Sequence, residues 1–358
     1  MNGAVKPAGL ALLAGGVVAV SAGAAFGAER IIASAPGADV LIANNSGTAE
    51  VTFSGVEGVG EATGFGATGL FRTLNFHPDG LGPWSTDVGL RVTAPGGEVL
   101  ASPEPWFGDV TIADFPLRDG FAGGAWAGGV EAEGTFGLSY DLNGIGAPYT
   151  ASLLDVTYYL LGPAPDVRVR WRGSTDGEEL WNRPYFIAGV SGLGATTFDV
   201  AAFRVSVSGL YTLTSVLQDG RDHFTFLYEG SFDPQAPLEG LFDYGLGNGN
   251  SSFGEPRGTS RIRTLLFEGV DYYWVTSRWA PYVPVSVYEN TVEGPGAIEV
   301  FGGTCLADRD LDGDQDVNDL LAYLGAFRNR EASADVDADG VLSVDDLLTY
   351  LGLFRVGC

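Results

Sequence analysis

The sequence predicts a mainly β protein: one or two antiparallel β-sandwich domains with jelly-roll-like connections, followed by a small α-helical module at the C-terminus. Three observations carry this. Between residues 29 and 301, short alternating apolar stretches at 90–92, 135–140, 167–171, 203–207 and 272–276 are separated by turn residues such as Pro95-Gly96-Gly97, Asp141-Leu142-Asn143-Gly144 and Asp219-Gly220. No long amphipathic helix interrupts them. After Gly302 the pattern changes to acidic loops followed by apolar residues at helical spacing. Although 54 glycines is a high number, 12% aromatic and 45% apolar residues supply a core, so the chain is not read as disordered.

Residues 1–28 carry one positive charge, Lys6, then an apolar run over 10–20, then small residues ending Ala24-Ala25-Phe26-Gly27-Ala28. This pattern is that of a secretory signal peptide cleaved near Gly27 or Ala28, the alternative being a transmembrane anchor. Export makes the mature protein secreted or cell-surface, in a compartment that permits disulfides and is rich in calcium. With 19 basic against 45 acidic residues the net charge is −26, which excludes nucleic acid as a natural partner because nothing would offset phosphate repulsion.

Residues 29–165 are expected to form a first sandwich and 190–301 a second, with the boundary between Leu161 and Gly194. That stretch holds Gly162-Pro163-Ala164-Pro165, the polar run 173–179 and Trp181-Asn182-Arg183-Pro184. The alternative is a single large sandwich with long loops. In the second half, Gly209-Leu210-Tyr211, Leu227-Tyr228 and the run from Leu265 through Gly269 to Tyr272-Tyr273 resemble secreted bacterial β-sandwich domains of the pre-peptidase C-terminal type. In those domains a strand ends in Gly-x-Tyr, a central strand carries Leu-Tyr and a final hairpin reads Leu-x-x-Gly-x-x-Tyr-Tyr. The resemblance covers about 100 residues and implies an accessory fold.

The terminal module is one pattern written twice, 27 residues apart: Asp308, Asp310, Asp312, Gly313, Asp314, Asp316, Asp319, and Asp335, Asp337, Asp339, Gly340, Val341, Ser343, Asp346. Carboxylates at positions 1, 3 and 5 of a twelve-residue loop converge if the chain turns sharply at the position-6 glycine. Position 7 then offers a backbone carbonyl, position 9 acts through water and position 12 closes the shell. Six aspartates in the first loop would repel strongly unless a multivalent cation neutralised them, so two calcium sites are expected. Each loop runs into an apolar stripe, Leu320, Leu321, Leu324, Phe327 and Leu347, Leu348, Leu351, Phe354, which predicts two helices packed stripe against stripe. The Gly-rich segment before the first loop is too short for an entering helix.

Two loop-then-helix units without entering helices resemble the dockerin module, over about 54 residues, and the Gly357-Cys358 ending resembles planctomycete-type variants. The resemblance implies calcium-dependent attachment to a cohesin-like or other surface-anchoring protein. Two features depart from the cellulosomal pattern: Gln315 stands at the usually apolar loop position 8, where Leu342 conforms, and positions 10 and 11 hold Val317-Asn318 and Val344-Asp345 rather than a hydroxyl pair. Cys305 and Cys358, the only cysteines, bracket the module. A disulfide between them would close about 54 residues, worth roughly 4 kcal/mol in the loop-entropy description; the alternative is a terminal Gly-Cys used for processing or attachment.

Catalytic candidates are sparse. His77 and His223 lack any spacing that builds a metal site or triad, and Ser191 lacks the nucleophile-elbow pattern. Trp84, Trp106, Trp171, Trp181 and Trp279 could stack on sugar rings, though core burial is the commoner fate of tryptophan. No catalytic or organic-cofactor residues are assigned. The sequence is therefore read as an exported, non-catalytic protein displayed through a calcium-dependent module, with β-sandwiches that bind an extracellular glycan or act as spacers. The alternative is a secreted polysaccharide or protein hydrolase carrying the same module.

Overall fold

The computed structural model describes residues 28–56, 60–74, 88–102, 114–142, 150–176, 179–187, 189–217, 219–246, 256–301, 309, 316–331, 334, 336 and 341–356. The expected signal segment lies outside them, apart from Ala28. Among the described residues no helix is long and apolar enough to cross a membrane.

The described residues up to 301 build antiparallel β strands, with one short 3-10 turn at Gly124–Trp126. The first half forms β1 (Ala28–Pro36), β2 (Val40–Ala43), β3 (Ser46–Phe53), β4 (Glu61–Ala62), β5 (Gly64–Thr73), β6 (Val88–Thr93), β7 (Val99–Ala101), β8 (Phe115–Ala122), β9 (Val130–Glu131), β10 (Gly134–Leu142) and β11 (Thr150–Ala164). Strand alternation explains which side chains meet. In β10, Phe136, Leu138 and Tyr140 point inward while the residues between them are partly exposed. Strands β1, β11, β5 and β8 are joined through β2 to β3, β10, β6 and β7, and side chains from both groups form one buried cluster. Tyr140 of β10 and Tyr158 of β11 share a buried hydroxyl hydrogen bond of 2.7 Å across it, and Phe53 meets Phe136 edge to face at 5.5 Å.

The second half continues with β12 (Val167–Ser174), β13 (Leu180–Trp181), β14 (Pro184–Tyr185), β15 (Gly189–Val190), β16 (Thr196–Val205), β17 (Gly209–Leu217), β18 (His223–Glu229), β19 (Leu241–Leu246), β20 (Thr259–Leu266), β21 (Tyr272–Arg278), β22 (Val287–Gly294) and β23 (Ile298–Phe301). Strands β12, β22, β17 and β20 pair in one sheet; β13, β16, β21, β18 and β19 pair in another, with β23 on β16. Trp171, Phe203, Tyr211, Leu213, Trp274 and Val292 are buried in one cluster that draws on both sheets. Buried residues thus change cluster between Leu160 and Trp171. The sheets do not separate there: β1 pairs along β11 and also with the start of β17, Glu29 opposite Leu210 and Arg30 opposite Gly209.

Two local expectations are corrected. Gly209-Leu210-Tyr211 begins a strand rather than ending one, and the Tyr211 hydroxyl donates back to the Val207 carbonyl at 2.8 Å, pinning the corner. The run from Leu265 to Tyr273 is not a hairpin. β20 pairs with β17 in one sheet, whereas β21 pairs with β16 and β18 in the other, so the turn at Gly269 (φ 77°) arches between layers. The Phe267 N–H, freed from any ladder there, donates to the Tyr272 hydroxyl at 2.8 Å.

Two helices close the chain, α1 (Val317–Asn329) and α2 (Val344–Val356).

Candidate metal centre

Of each acidic loop, the closing end and the second position are described: 309 and 316–319 in the first, 336 and 341–346 in the second. In the first, Asp316 is the N-cap of α1: its carboxylate accepts from the Asn318 N–H at 2.6 Å, and Asp319 three residues on accepts from the Asp316 N–H at 2.8 Å, a reciprocal capping box. Loop positions 9 and 12 are therefore also the N-cap and N3 positions of the exit helix. In the second loop Ser343 takes the same role, its hydroxyl accepting from the Asp345 N–H at 3.0 Å while Asp346 accepts from the Ser343 N–H at 2.7 Å.

The remaining carboxylate oxygen reaches back to the loop's beginning. Asp319 accepts from the Arg309 N–H at 2.5 Å, and Asp346 from the Val336 N–H at 2.7 Å, both donors standing at loop position 2. Each position-12 carboxylate thus ties the two ends of its loop together, and both are fully buried. Asp316, Asp319, Ser343 and Asp346 are oxygen donors of the kind a hard divalent cation takes, but among the described residues no three His, Cys, Asp or Glu side chains come together to hold one. Val341, expected to offer only its carbonyl, leaves its side chain exposed. Asp308, Asp310, Asp312, Asp314, Asp335, Asp337, Asp339, Gln315, Cys305 and Cys358 lie outside the described residues.

The helix pairing differs from the leucine stripes expected. Tyr323 and Tyr350, equivalent across the repeat, are fully buried and stack face to face at 3.9 Å and 10°. Around them pack Leu320, Phe327, Leu347, Phe354, Val336 and Leu342, the last of these the position-8 residue expected to enter the core. The other half of each stripe faces outward: Leu321 and Leu348 are each 61% exposed, Leu324 and Leu351 each 40%. A helix with apolar residues on two faces offers two stripes, and the flat tyrosine pair permits the closer approach. The repeat of tyrosine at 27 residues was the available signal for that pair.

Arg309, the residue beside the first expected ligand, was also missed. Its guanidinium lies 5.4 Å from the Tyr323 ring centre and 6.0 Å from that of Tyr350. Burial, then the nearby Arg172, pushes it down to about 10, while Tyr350, Tyr323 and Glu289 oppose that fall. Arg309 therefore lies within electrostatic reach of Arg172 of β12 and Glu289 of β22.

The residues considered for catalysis have structural roles where they are described. The Ser191 hydroxyl accepts from the Leu193 N–H at 3.3 Å in a local turn. His223 is fully buried at the start of β18, and burial pushes it down to about 4, so it is neutral. Trp171 and Trp181 are core residues, and the half-buried Trp279 stacks one face on Phe224 at 4.8 Å. His77, Trp84 and Trp106 lie outside the described residues.

No protein-family model matches the chain, and no curated protein matches it. Among solved structures it is similar to a peptide-N4-(N-acetyl-β-D-glucosaminyl)asparagine amidase, with 9% identity and a TM-score of 0.20 over 75% of this chain and 98% of that one. It is also similar to a structure of infectious bursal disease virus, Gx strain, with 6% identity and a TM-score of 0.17 over 77% of this chain and 75% of that one. Likenesses this weak say nothing about its chemistry.

Proposed function

We propose that this chain is an exported, non-catalytic protein displayed outside the cell through a calcium-dependent, dockerin-like C-terminal module, with the β region as the displayed binding or spacing part. The observation that carries this reading is a repeated apolar face on helices whose first turns are tied into acidic loops. Val317, Leu321 and Leu324 on α1 recur as Val344, Leu348 and Leu351 on α2, all exposed and each pair to nearly the same extent. Exposed clusters of large apolar side chains on a strongly acidic chain mark a contact surface rather than a solubilising one. Calcium supports the face indirectly, because Asp319 and Asp346 link each loop to the helix that bears it. The partner is an anchoring protein with an apolar groove and a neutral or basic rim.

The test is retention on native cells. Chelator should release the protein from the surface, calcium should restore binding, and Leu321→Asp with Leu348→Asp should prevent restoration. Retention that survives chelator would overturn the calcium-dependent reading.

A further inference from the structure

The two sheets of the second half meet over an aromatic and aliphatic cluster, and at one side of that cluster the interior turns polar. A single row across the first sheet reads Trp171 on β12, Asn290 on β22, Ser215 on β17 and Ser260 on β20, each opposite the next in the strand register. Opposite residues of an antiparallel pair share a face, and this is the inward one: Trp171 is a core residue, and the other three are wholly buried. In the second sheet Thr225 of β18 stands opposite Thr276 of β21, and Thr276 opposite Asp199 of β16. Both threonines are wholly buried and Asp199, at the rim, is half-buried.

Three side-chain hydrogen bonds cross from one sheet to the other. Ser260 and Thr225 share one at 2.7 Å, the Asn290 amide donates to the Thr276 hydroxyl at 3.4 Å, and the Tyr288 hydroxyl of β22 donates to Asp199 at 2.7 Å. Ser215 stands between the first two of these in the row. Its hydroxyl, the second end of the Asn290 amide and the Trp171 indole N–H are buried with no hydrogen-bond partner among the described residues. Turning the Asn290 amide over does not help, because one end would still meet Thr276 and the other none. Buried dry, each of these groups carries its full desolvation cost.

We propose that this row is an internal water site, with water lodged between Asn290 and Ser215 and bonded to the Trp171 indole. A donor, an amide end and a hydroxyl that can give or take are the partners a water molecule satisfies, since it offers two hydrogens and accepts two. The occupant is neutral. No member of the row is charged, and the Asp199 carboxylate at the rim is engaged by Tyr288 and by the Val200 N–H at 2.8 Å. At Ser260 the layer is closed instead: a Cβ on Gly245 of β19 would stand 2.2 Å from its hydroxyl oxygen and 2.8 Å from that of Thr225, so backbone covers that pair. Water in the row joins the Ser260–Thr225 and Asn290–Thr276 bonds into one network and so fixes the two sheets in a single alignment.

The sign of one substitution separates a hydrated row from a dry one. Ser215→Ala removes a hydroxyl and adds no bulk. In a dry row it removes an unpaired polar group, and the thermal midpoint of the full chain stays where it is or rises. In a hydrated row the water loses a partner, and the midpoint should fall by about 1–3 °C. A midpoint that is unchanged or higher overturns the site. A high-resolution crystal structure of the unaltered chain tests it without any substitution: ordered water within hydrogen-bond distance of both the Asn290 amide and the Ser215 hydroxyl supports the proposal. A row closed by direct contact between those two side chains, or one that holds no water, overturns it.

Discussion

Replacing Asp346 by alanine removes more from the terminal module than a metal ligand. Its two oxygens accept from the Val336 and Ser343 N–H groups, each at 2.7 Å, and the side chain is fully buried. Hydrogen bonds to a charged acceptor are each worth about 1.5–3 kcal/mol, so losing two costs about 3–6 kcal/mol before any metal is counted. Val336 and Leu342, which pack on the tyrosine pair from this loop, lose their anchor with it, adding about 1–2 kcal/mol. That total approaches the whole stability of a small unit. Asp319→Ala breaks an equivalent pair of bonds, from Arg309 and Asp316, but frees a polar residue rather than two apolar ones. Titration calorimetry of the full chain should therefore find two calcium ions per molecule, at most one after Asp346→Ala, with the second variant less damaged. An Asp346→Ala protein that binds two calcium ions with unchanged affinity would refute this reasoning.

Gly209→Ala should destabilise the crossing of β1 and β17 by about 2–3 kcal/mol, seen as a lower denaturant midpoint: a Cβ there would stand 2.4 Å from the Glu29 carbonyl oxygen and 2.5 Å from the Pro295 ring, and the backbone atom cannot move aside. His223→Leu should flatten the acid limb of stability. The buried imidazole binds its proton less readily folded than unfolded, so the parent chain loses stability as pH falls from about 6.5 toward about 4, measurable as a few degrees in Tm that the variant keeps.

Strand positions were legible wherever one face is buried and the other wet. In β12, Trp171 points into the core while Arg168, Arg170 and Arg172 line the outside against Glu289 and Glu293, and that alternation is written in the sequence. Strand partners were not legible. Leu265 to Tyr273 has the local look of a hairpin, yet which sheet each arm joins depends on β16, β17 and β18, far away in sequence. The same limit applied to the leucine stripes, because a 3.6-residue period admits both the Leu320, Tyr323, Phe327 face and the Val317, Leu321, Leu324 face, and only the partner helix selects between them. In the acidic loops the helix starts were legible for the part described: the Asp316-to-Asp319 and Ser343-to-Asp346 spacings are helix-capping signals, and both caps form.

The exposed leucines also bear on how many helices a partner must grip. A leucine about 60% exposed has on the order of 100 Å² left to bury, so one helix's Val317, Leu321 and Leu324 together offer roughly 7 kcal/mol of gross stabilisation at about 25 cal/mol per Å². Association costs about 4–15 kcal/mol in lost rigid-body freedom alone. One face therefore barely offsets that cost, and stable retention needs both helices engaged together. Under this arithmetic Leu321→Asp and Leu348→Asp are each sufficient to abolish surface retention, with calcium stoichiometry unchanged in both. If each single variant is retained like the parent and only the double variant is released, the two faces are alternatives rather than halves of one surface, and the estimate of what one helix can hold is too low.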